Sequence, residues 1–426
     1  MLLQKNQRVV VTGMGAVSPL GVGVKNNWEK IVNGKSGIVK IPSDMFDGAD
    51  MLKSKVAGIV PRGTAEGEFD VNEILSVKNQ NKMDIFIHLA LKASQEAIDD
   101  AGIKSLPNKD EIGVLVGSGI GGISSLSNNI KKIQETDLTR LSPFAIPMMI
   151  VNMVGGQIAI EYGFRGPNSA IATACASGTH SIGYAARTIA SGDATIMVCG
   201  GAESAFTSVS VAGFCALRAL STSYNDTPEK SSRPWDTGRD GFVIAEGAAT
   251  LVLEEYEHAK KRGANIYAEI VGYGMSGDGY HMTAPHPEGE GAYLSMKRAM
   301  ETAEINTNEI DYINAHGTST PLGDMMEISA IRKLFGDNIK DIPISSTKSA
   351  TGHLLGASGA LEAIFSIMAI KDGILPPTLN LENPESGTED LNLVPNVAQK
   401  KVVNFALSNS FGFGGTNASI IFKKVS

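Results

Sequence analysis

One thiol and two imidazoles stand where strands give way to turns, the position from which side chains do chemistry in α/β proteins. Cys175 lies in Thr173-Ala174-Cys175-Ala176-Ser177-Gly178, between an apolar run read as a strand (170–173) and a small-sided helical run (176–191). The helical stripe is Ile182, Ala186 and Ile189, and Gly192 supplies the stop. A thiol at a helix N-terminus meets free N–H groups and the positive end of the axis, so the sequence predicts a thiolate, the nucleophilic form. The competing reading is an inert buried cysteine. Cys199, in the strand 195–199, and Cys215, in an apolar helix-like stretch, are assigned to packing.

His316 stands in Asn314-Ala315-His316-Gly317-Thr318-Ser319-Thr320, directly after the apolar strand 310–313. His353 ends Lys348-Ser349-Ala350-Thr351-Gly352-His353, after the strand 342–345 and before an Ala/Gly-rich helix. Both therefore occupy the class of position that Cys175 does. By contrast, His88 falls in an amphipathic helix, His258 beside an acidic stretch, and His281 and His286 in a Pro-containing loop. Those four read as structural, and His180, on the Cys175 helix, stays open. Asn409-Ser410-Phe411-Gly412-Phe413-Gly414-Gly415-Thr416-Asn417 joins the strands 402–407 and 418–422. Its glycines let a main-chain N–H aim inward, and an aromatic flanked by glycines can swing as a gate; the plainer reading is a Gly-rich hairpin.

Other patterns argue against other chemistries. Gly117-Ser118-Gly119-Ile120-Gly121-Gly122 fits G-x-G-x-x-G, but the segment 124–129 reads as polar and helix-poor, and no strand-ending acid follows. Gly13-Met14-Gly15 and 272–279 are weaker still, and tight turns explain all three. The 426 residues carry 37 Lys+Arg against 45 Asp+Glu, net −8, which argues against a nucleic-acid binder. Three cysteines within a short central stretch make a poor disulfide framework and point to a reducing compartment. No Cys-x-x-Cys or His-Glu-x-x-His spacing suggests zinc. The run 9–24 holds four glycines and Pro19, so it reads as strand and turn rather than an export signal. No span of about 20 apolar residues crosses a bilayer. The expectation is a soluble cytoplasmic protein.

The elements that must position these groups alternate. Strands at 9–12, 113–116, 170–173, 195–199 and 250–253 are separated by helical patterns such as 83–101, 176–191 and 257–262, a βαβ layout. The order strand, small-residue turn, helix, Gly-Asp, strand over 168–202 is echoed in its first part by 342–374, and 113–122 is echoed by 311–318. The chain is therefore divided near residue 265 into two similar α/β halves, 1–265 carrying the cysteine and 266–426 carrying both histidines. Segments 63–70 and 381–396 are surface loops.

With these residues in place, the chain from 8 to 422 resembles the β-ketoacyl-acyl-carrier-protein synthases, thiolase-fold condensing enzymes of bacterial fatty-acid synthesis, and is most similar to the synthase II type. The matching motifs are 173–178, Arg233-Pro234-Trp235-Asp236, 314–320, 348–359 and 409–417. The resemblance implies an α-β-α-β-α layered fold, a cytoplasmic homodimer and no metal or redox cofactor. It implies that Cys175 takes an acyl chain from acyl-carrier protein, and that malonyl-carrier protein then decarboxylates to the attacking enolate. Neutral His316 and His353 would donate to the enolate oxygen, and the N–H groups of Cys175 and Phe413 to the other oxyanion. Lys348 and Glu362 match the family's charged pair, with Lys348 fixing local charge, and Asp324 and Glu327 lie behind the His316 turn. Phe413 matches the gating phenylalanine, Ile120 the end of the acyl pocket, and Phe214 and Phe411 also border that pocket. Lys78, Lys82, Arg140 and Arg218 are the candidates for docking an acidic carrier protein, while Val77 departs from the pattern there.

Rival readings fail on single residues. A thiolase needs a second catalytic cysteine in the C-terminal half, and none follows Cys215. The synthase III type pairs His with Asn, where this chain has His353. A non-catalytic chain-length factor usually loses the nucleophile, and Cys175 is present. A simple acyl-binding protein leaves the three converging side chains unexplained.

Overall fold

The computed structural model describes residues 7–136 and 140–425. Its principal sheet is built from β1 (Val9–Ser18), β2 (Ile112–Gly117), β3 (Asn168–Ser169), β4 (Ile196–Glu203), β5 (Gly247–Glu255), β6 (Ala268–Gly277), β7 (Tyr312–Asn314), β8 (Ile344–Ser345), β9 (Phe405–Gly412) and β10 (Thr416–Lys423). The order across it is β8-β7-β9-β10-β6-β1-β5-β4-β2-β3. β1 and β6 meet only over Val9↔Ile270, Val10↔Glu269 and Val11↔Ala268. Read outward from that seam, both arms repeat one scheme: two antiparallel pairings, then two parallel ones.

The helices used below are α1 (Ile85–Ala101), α2 (Ile123–Glu135), α3 (Met153–Tyr162), α4 (Ser177–Ala190), α5 (Ser208–Ala216), α6 (Glu290–Ala303), α7 (Pro321–Phe335) and α8 (Ser358–Asp372). α1 and α3 cover the outer face of the first arm; α6 covers that of the second, with α7 packed on it. α4 and α8 lie between the arms: α4 packs on β2 and β4 and also touches β10, while α8 packs on β5 and on β9. The result is five layers, helix-sheet-helix-sheet-helix. α8 is buried on every side from Ser358 to Ile370, as a central-layer helix must be, and its composition there is mostly apolar. The two inner helices approach at glycines: a Cβ on Gly178 would lie 2.8 Å from the Ala360 nitrogen, and one on Gly359 would lie 2.0 Å from Thr179 Oγ1.

Three sequence expectations change. The run 170–173 is not a ladder strand; β3 is only Asn168–Ser169, and the chain then leaves the sheet to build a turn. The segment 124–129 is not helix-poor, because α2 runs through it. The last strand pair starts and ends further into the glycine element than expected, so residues 405–412 and 416–423 form a hairpin with a three-residue tip.

Candidate active site

After β3 the chain enters a single 3-10 turn, Ala174–Ala176, from which α4 continues. Ala174 takes φ 49°, a left-handed conformation that strains a non-glycine residue by about 1–3 kcal/mol. The turn is held on both sides. Ser177 Oγ accepts from the Thr173 N–H at 2.9 Å and donates to the Ala174 carbonyl at 2.7 Å. Thr416 Oγ1, across the hairpin, donates to the Thr173 carbonyl at 2.9 Å. The second half repeats the device: Leu355–Ala357 precede α8, with Leu355 also at φ 49°. Gly356 thus occupies in that half the place of Cys175.

Cys175 is 9% exposed. Burial is the largest influence on its thiol; the Lys348 charge and then the N–H groups of Phe413 and of Cys175 itself favour the thiolate. Burial outweighs them and pushes the thiol up to about 11. The thiolate expected from the helix end is thus not the resting state; the fold stores a thiol with its stabilising donors already in place. Alkylation of Cys175 by iodoacetamide should therefore rise about tenfold per pH unit from neutrality to pH 10, without a plateau. A plateau reached by pH 8 would contradict this.

His316 follows β7, and its turn is fixed by carboxylates from α7. Glu327 accepts from the N–H groups of His316 at 2.9 Å and Gly317 at 2.8 Å, and from Asn409 Nδ2 at 3.1 Å. Asp324 accepts from the Trp235 N–H at 3.0 Å, and its carbonyl from the indole N–H at 3.2 Å. That places the fully buried Trp235 ring beneath Gly317. Burial pushes Asp324 up to about 6, with Arg239 opposing.

His353 is pinned by main chain: its N–H donates to Val243 at 2.7 Å and its carbonyl accepts from Ala245 at 2.9 Å. Its Nδ1 lies 2.8 Å from Ser358 Oγ, at the start of α8. The His316 and His353 rings are 5.4 Å apart, edge to face at 85°. Burial, followed by the Lys348 charge, holds both well below the ordinary histidine range, so both are neutral at physiological pH. Lys348 and Glu362 form a buried ion pair behind them, and burial pushes Glu362 up to about 7 against the pull of Lys348.

Cys175, His316 and His353 line one cavity of about 620 Å³, together with Ile120, Phe214, Phe411 and Phe413. Ring contacts run from Phe214 to Phe242 (5.4 Å), to His353 (5.4 Å), to His316 and on to Phe411 (5.6 Å). Phe413, at the hairpin tip, is 36% exposed. Of the docking candidates, Arg218 lines the cavity; Lys78 and Arg140 are exposed and Lys82 half-buried, and these three do not line it. Cys199 is sealed in β4 and Cys215 half-buried on α5. His88, His258, His281 and His286 lie outside the cavity lining, while His180 Nδ1 sits 2.9 Å from Thr173 Oγ1 beside the cysteine turn. Among the described residues no group of three His, Cys, Asp or Glu could hold a metal ion. No helix there is long and apolar enough to cross a membrane.

The sequence reading missed Ser358 and Glu203. Ser358 had a signal, because Ser358-Gly359 repeats the Ser177-Gly178 that follows the cysteine turn. Glu203 had one too, an acid closing an apolar strand. Its carboxylate occupies the N–H groups of the 118–121 loop, which leaves no cradle there for a phosphate.

Residues 6–259 match the family model for the β-ketoacyl synthase N-terminal domain, and residues 267–382 the model for its C-terminal domain. The chain is 51% identical over 421 residues to a 3-oxoacyl-[acyl-carrier-protein] synthase 2 of Vibrio harveyi, covering 98% of this chain and 99% of the relative. A β-ketoacyl synthase from Burkholderia phymatum superposes with a TM-score of 0.89 at 36% identity, over 99% of this chain and 100% of the other. A type II polyketide ketosynthase, solved with its acyl-carrier protein and a bound hexaketide, gives 0.89 at 32% identity over 99% and 100%.

Proposed function

We propose, on the premise that the chain belongs to the β-ketoacyl synthase family, that Cys175, His316 and His353 carry its reaction. The activity is that of a 3-oxoacyl-acyl-carrier-protein synthase, an acyltransferase that joins acyl and malonyl thioesters and releases carbon dioxide. The observation that carries the residue assignment is geometric: the Cys175 thiol and two neutral imidazoles whose rings are 5.4 Å apart line one mostly apolar cavity.

In the first half-reaction Cys175 sulfur attacks the acyl thioester carbonyl. The oxyanion sits between the Cys175 and Phe413 N–H groups, which in the free enzyme already act on the sulfur. The carrier's sulfur leaves and ends with the proton that the thiol gives up, so the acyl-cysteine forms with no net change of protons. In the second, malonyl thioester loses carbon dioxide and the C–C bonding pair becomes the enolate. His353 Nδ1 lies 2.8 Å from Ser358 Oγ; with the Ser358 hydroxyl as donor the His353 proton sits on Nε2, and His316 donates beside it. A neutral imidazole suits this task, since it donates without first having to lose a proton. The enolate carbon attacks the acyl-cysteine, the sulfur is expelled, and one proton from solvent restores the thiol.

Glu327 and Asp324 position the His316 turn, and Lys348–Glu362 sets the charge behind both rings. Phe413 gates the pocket, and Ile120, Phe214 and Phe411 border the acyl chain. Lys78, Lys82, Arg140 and Arg218 meet the acidic carrier protein. The protein works as a cytoplasmic homodimer without cofactor, its two functional halves meeting near residue 265. Exposed Leu126 and Ile130 on α2, close to Ile120, suit burial against a second copy. The reading is tested by turnover: purified protein given hexanoyl- and malonyl-carrier protein should yield 3-oxooctanoyl-carrier protein and carbon dioxide. Product from hexanoyl-CoA but none from the carrier thioester would overturn the carrier assignment.

A further inference from the structure

We propose that Glu203 is a positioning residue that sets the acyl-chain preference, by clamping the pocket wall at Ile120 to the turn that follows His353. The inference rests on the acyl-pocket reading above.

Glu203 ends β4 and is fully buried. Its carboxylate is saturated with donors from two distant segments. From the first half it accepts Ser118 Oγ–H at 2.7 Å and the N–H groups of Gly119 at 2.7 Å, Ile120 at 3.1 Å and Gly121 at 3.2 Å. From the second half it accepts the Gly356 N–H at 3.1 Å. Gly356 lies three residues past His353, in the turn that corresponds to the cysteine turn. Gly119, Ile120, Ala174 and Leu355 all line the cavity. One anion therefore joins the loop carrying the pocket's end wall to the segment carrying a histidine, beside the cysteine turn.

The bonds to Ile120 are main-chain bonds, and the residue is 38% exposed. Within the chain its place at the pocket end thus depends on the carboxylate rather than on close packing. Charge-assisted bonds of this kind are the strong ones, and convergent N–H groups favour an anion. A glutamine at 203 would turn an NH2 group against a ring of N–H donors. The loop 118–121 would then lose part of its anchor and the end wall would yield to a longer chain.

The test is kcat/KM for tetradecanoyl- against hexanoyl-carrier protein in the full-length protein, with Glu203→Gln and Ser118→Ala. Ser118→Ala removes one donor to the carboxylate and keeps the charge. The expected result is a shift of the ratio toward the longer chain by at least about tenfold in Glu203→Gln, and a smaller shift in the same direction in Ser118→Ala. Both substrates losing rate by one common factor, or a shift toward the shorter chain, would overturn the proposal. Should Glu203→Gln fail to fold, Ser118→Ala decides alone, and an unchanged ratio counts against it. Absence of condensation in the unsubstituted protein would instead overturn the proposed function itself.

Discussion

Cys175→Ala is expected to lower condensation by roughly 10⁴-fold or more, since the covalent route disappears with the sulfur. The same variant should still decarboxylate malonyl-carrier protein, because the groups assigned to that step, His316 and His353, are untouched. This separation follows from the architecture: the cysteine turn belongs to the first arm, whereas both imidazoles belong to the second. The check is a paired assay of carbon dioxide release and 3-oxoacyl product. Loss of both activities together would mean that decarboxylation needs the sulfur and would break the division of labour proposed here.

His353→Ala should show the opposite split. Removing one preorganised donor to a developing oxyanion costs about 10²–10³-fold, so decarboxylation and condensation should both fall by that factor. Acylation of Cys175 should persist, because its oxyanion is held by main-chain N–H groups. The pH dependence carries a second signature. Burial and Lys348 depress the histidines, so they stay neutral as pH falls through the ordinary histidine range. The donor function is then kept, and the decarboxylation rate should be flat from roughly pH 8 to pH 6 in Glu362→Gln, which removes the neighbouring carboxyl that burial pushes up to about 7. An acid limb centred near pH 6.5 would contradict neutral donors with depressed pKa values.

Which parts of this were legible in the sequence follows from what each part depends on. Cys175, His316 and His353 each stand in a turn beside an apolar run, and that local pattern needs no knowledge of tertiary contacts. The thiol's protonation state does: the helix end argued for thiolate, but burial by the second arm and the hairpin decides it. The run 170–173 has strand composition and still leaves the sheet, because Thr173 is taken by Ser177 and Thr416 rather than by a ladder. α2 was hidden by its polar residues, although Ile123, Leu126, Ile130 and Ile133 carry helical spacing. An acid closing an apolar strand marks Glu203 in the sequence, but its partners emerge only once β4 is placed beside β2, because its donors come from 82 or more residues away. The matching order of the two arms rests on crossovers that no local pattern encodes; what the sequence carries of it is the echo of 168–202 in 342–374 and of 113–122 in 311–318, sharpened by the Ser-Gly repeated after each turn.

The most direct test of the central claim is the mass of the Cys175 peptide after incubation with hexanoyl-carrier protein, before and after malonyl-carrier protein is added. The account predicts a hexanoyl adduct on Cys175 that disappears on the second addition as 3-oxooctanoyl-carrier protein forms. An adduct on Cys215 or no adduct at all, with product still forming, would contradict it.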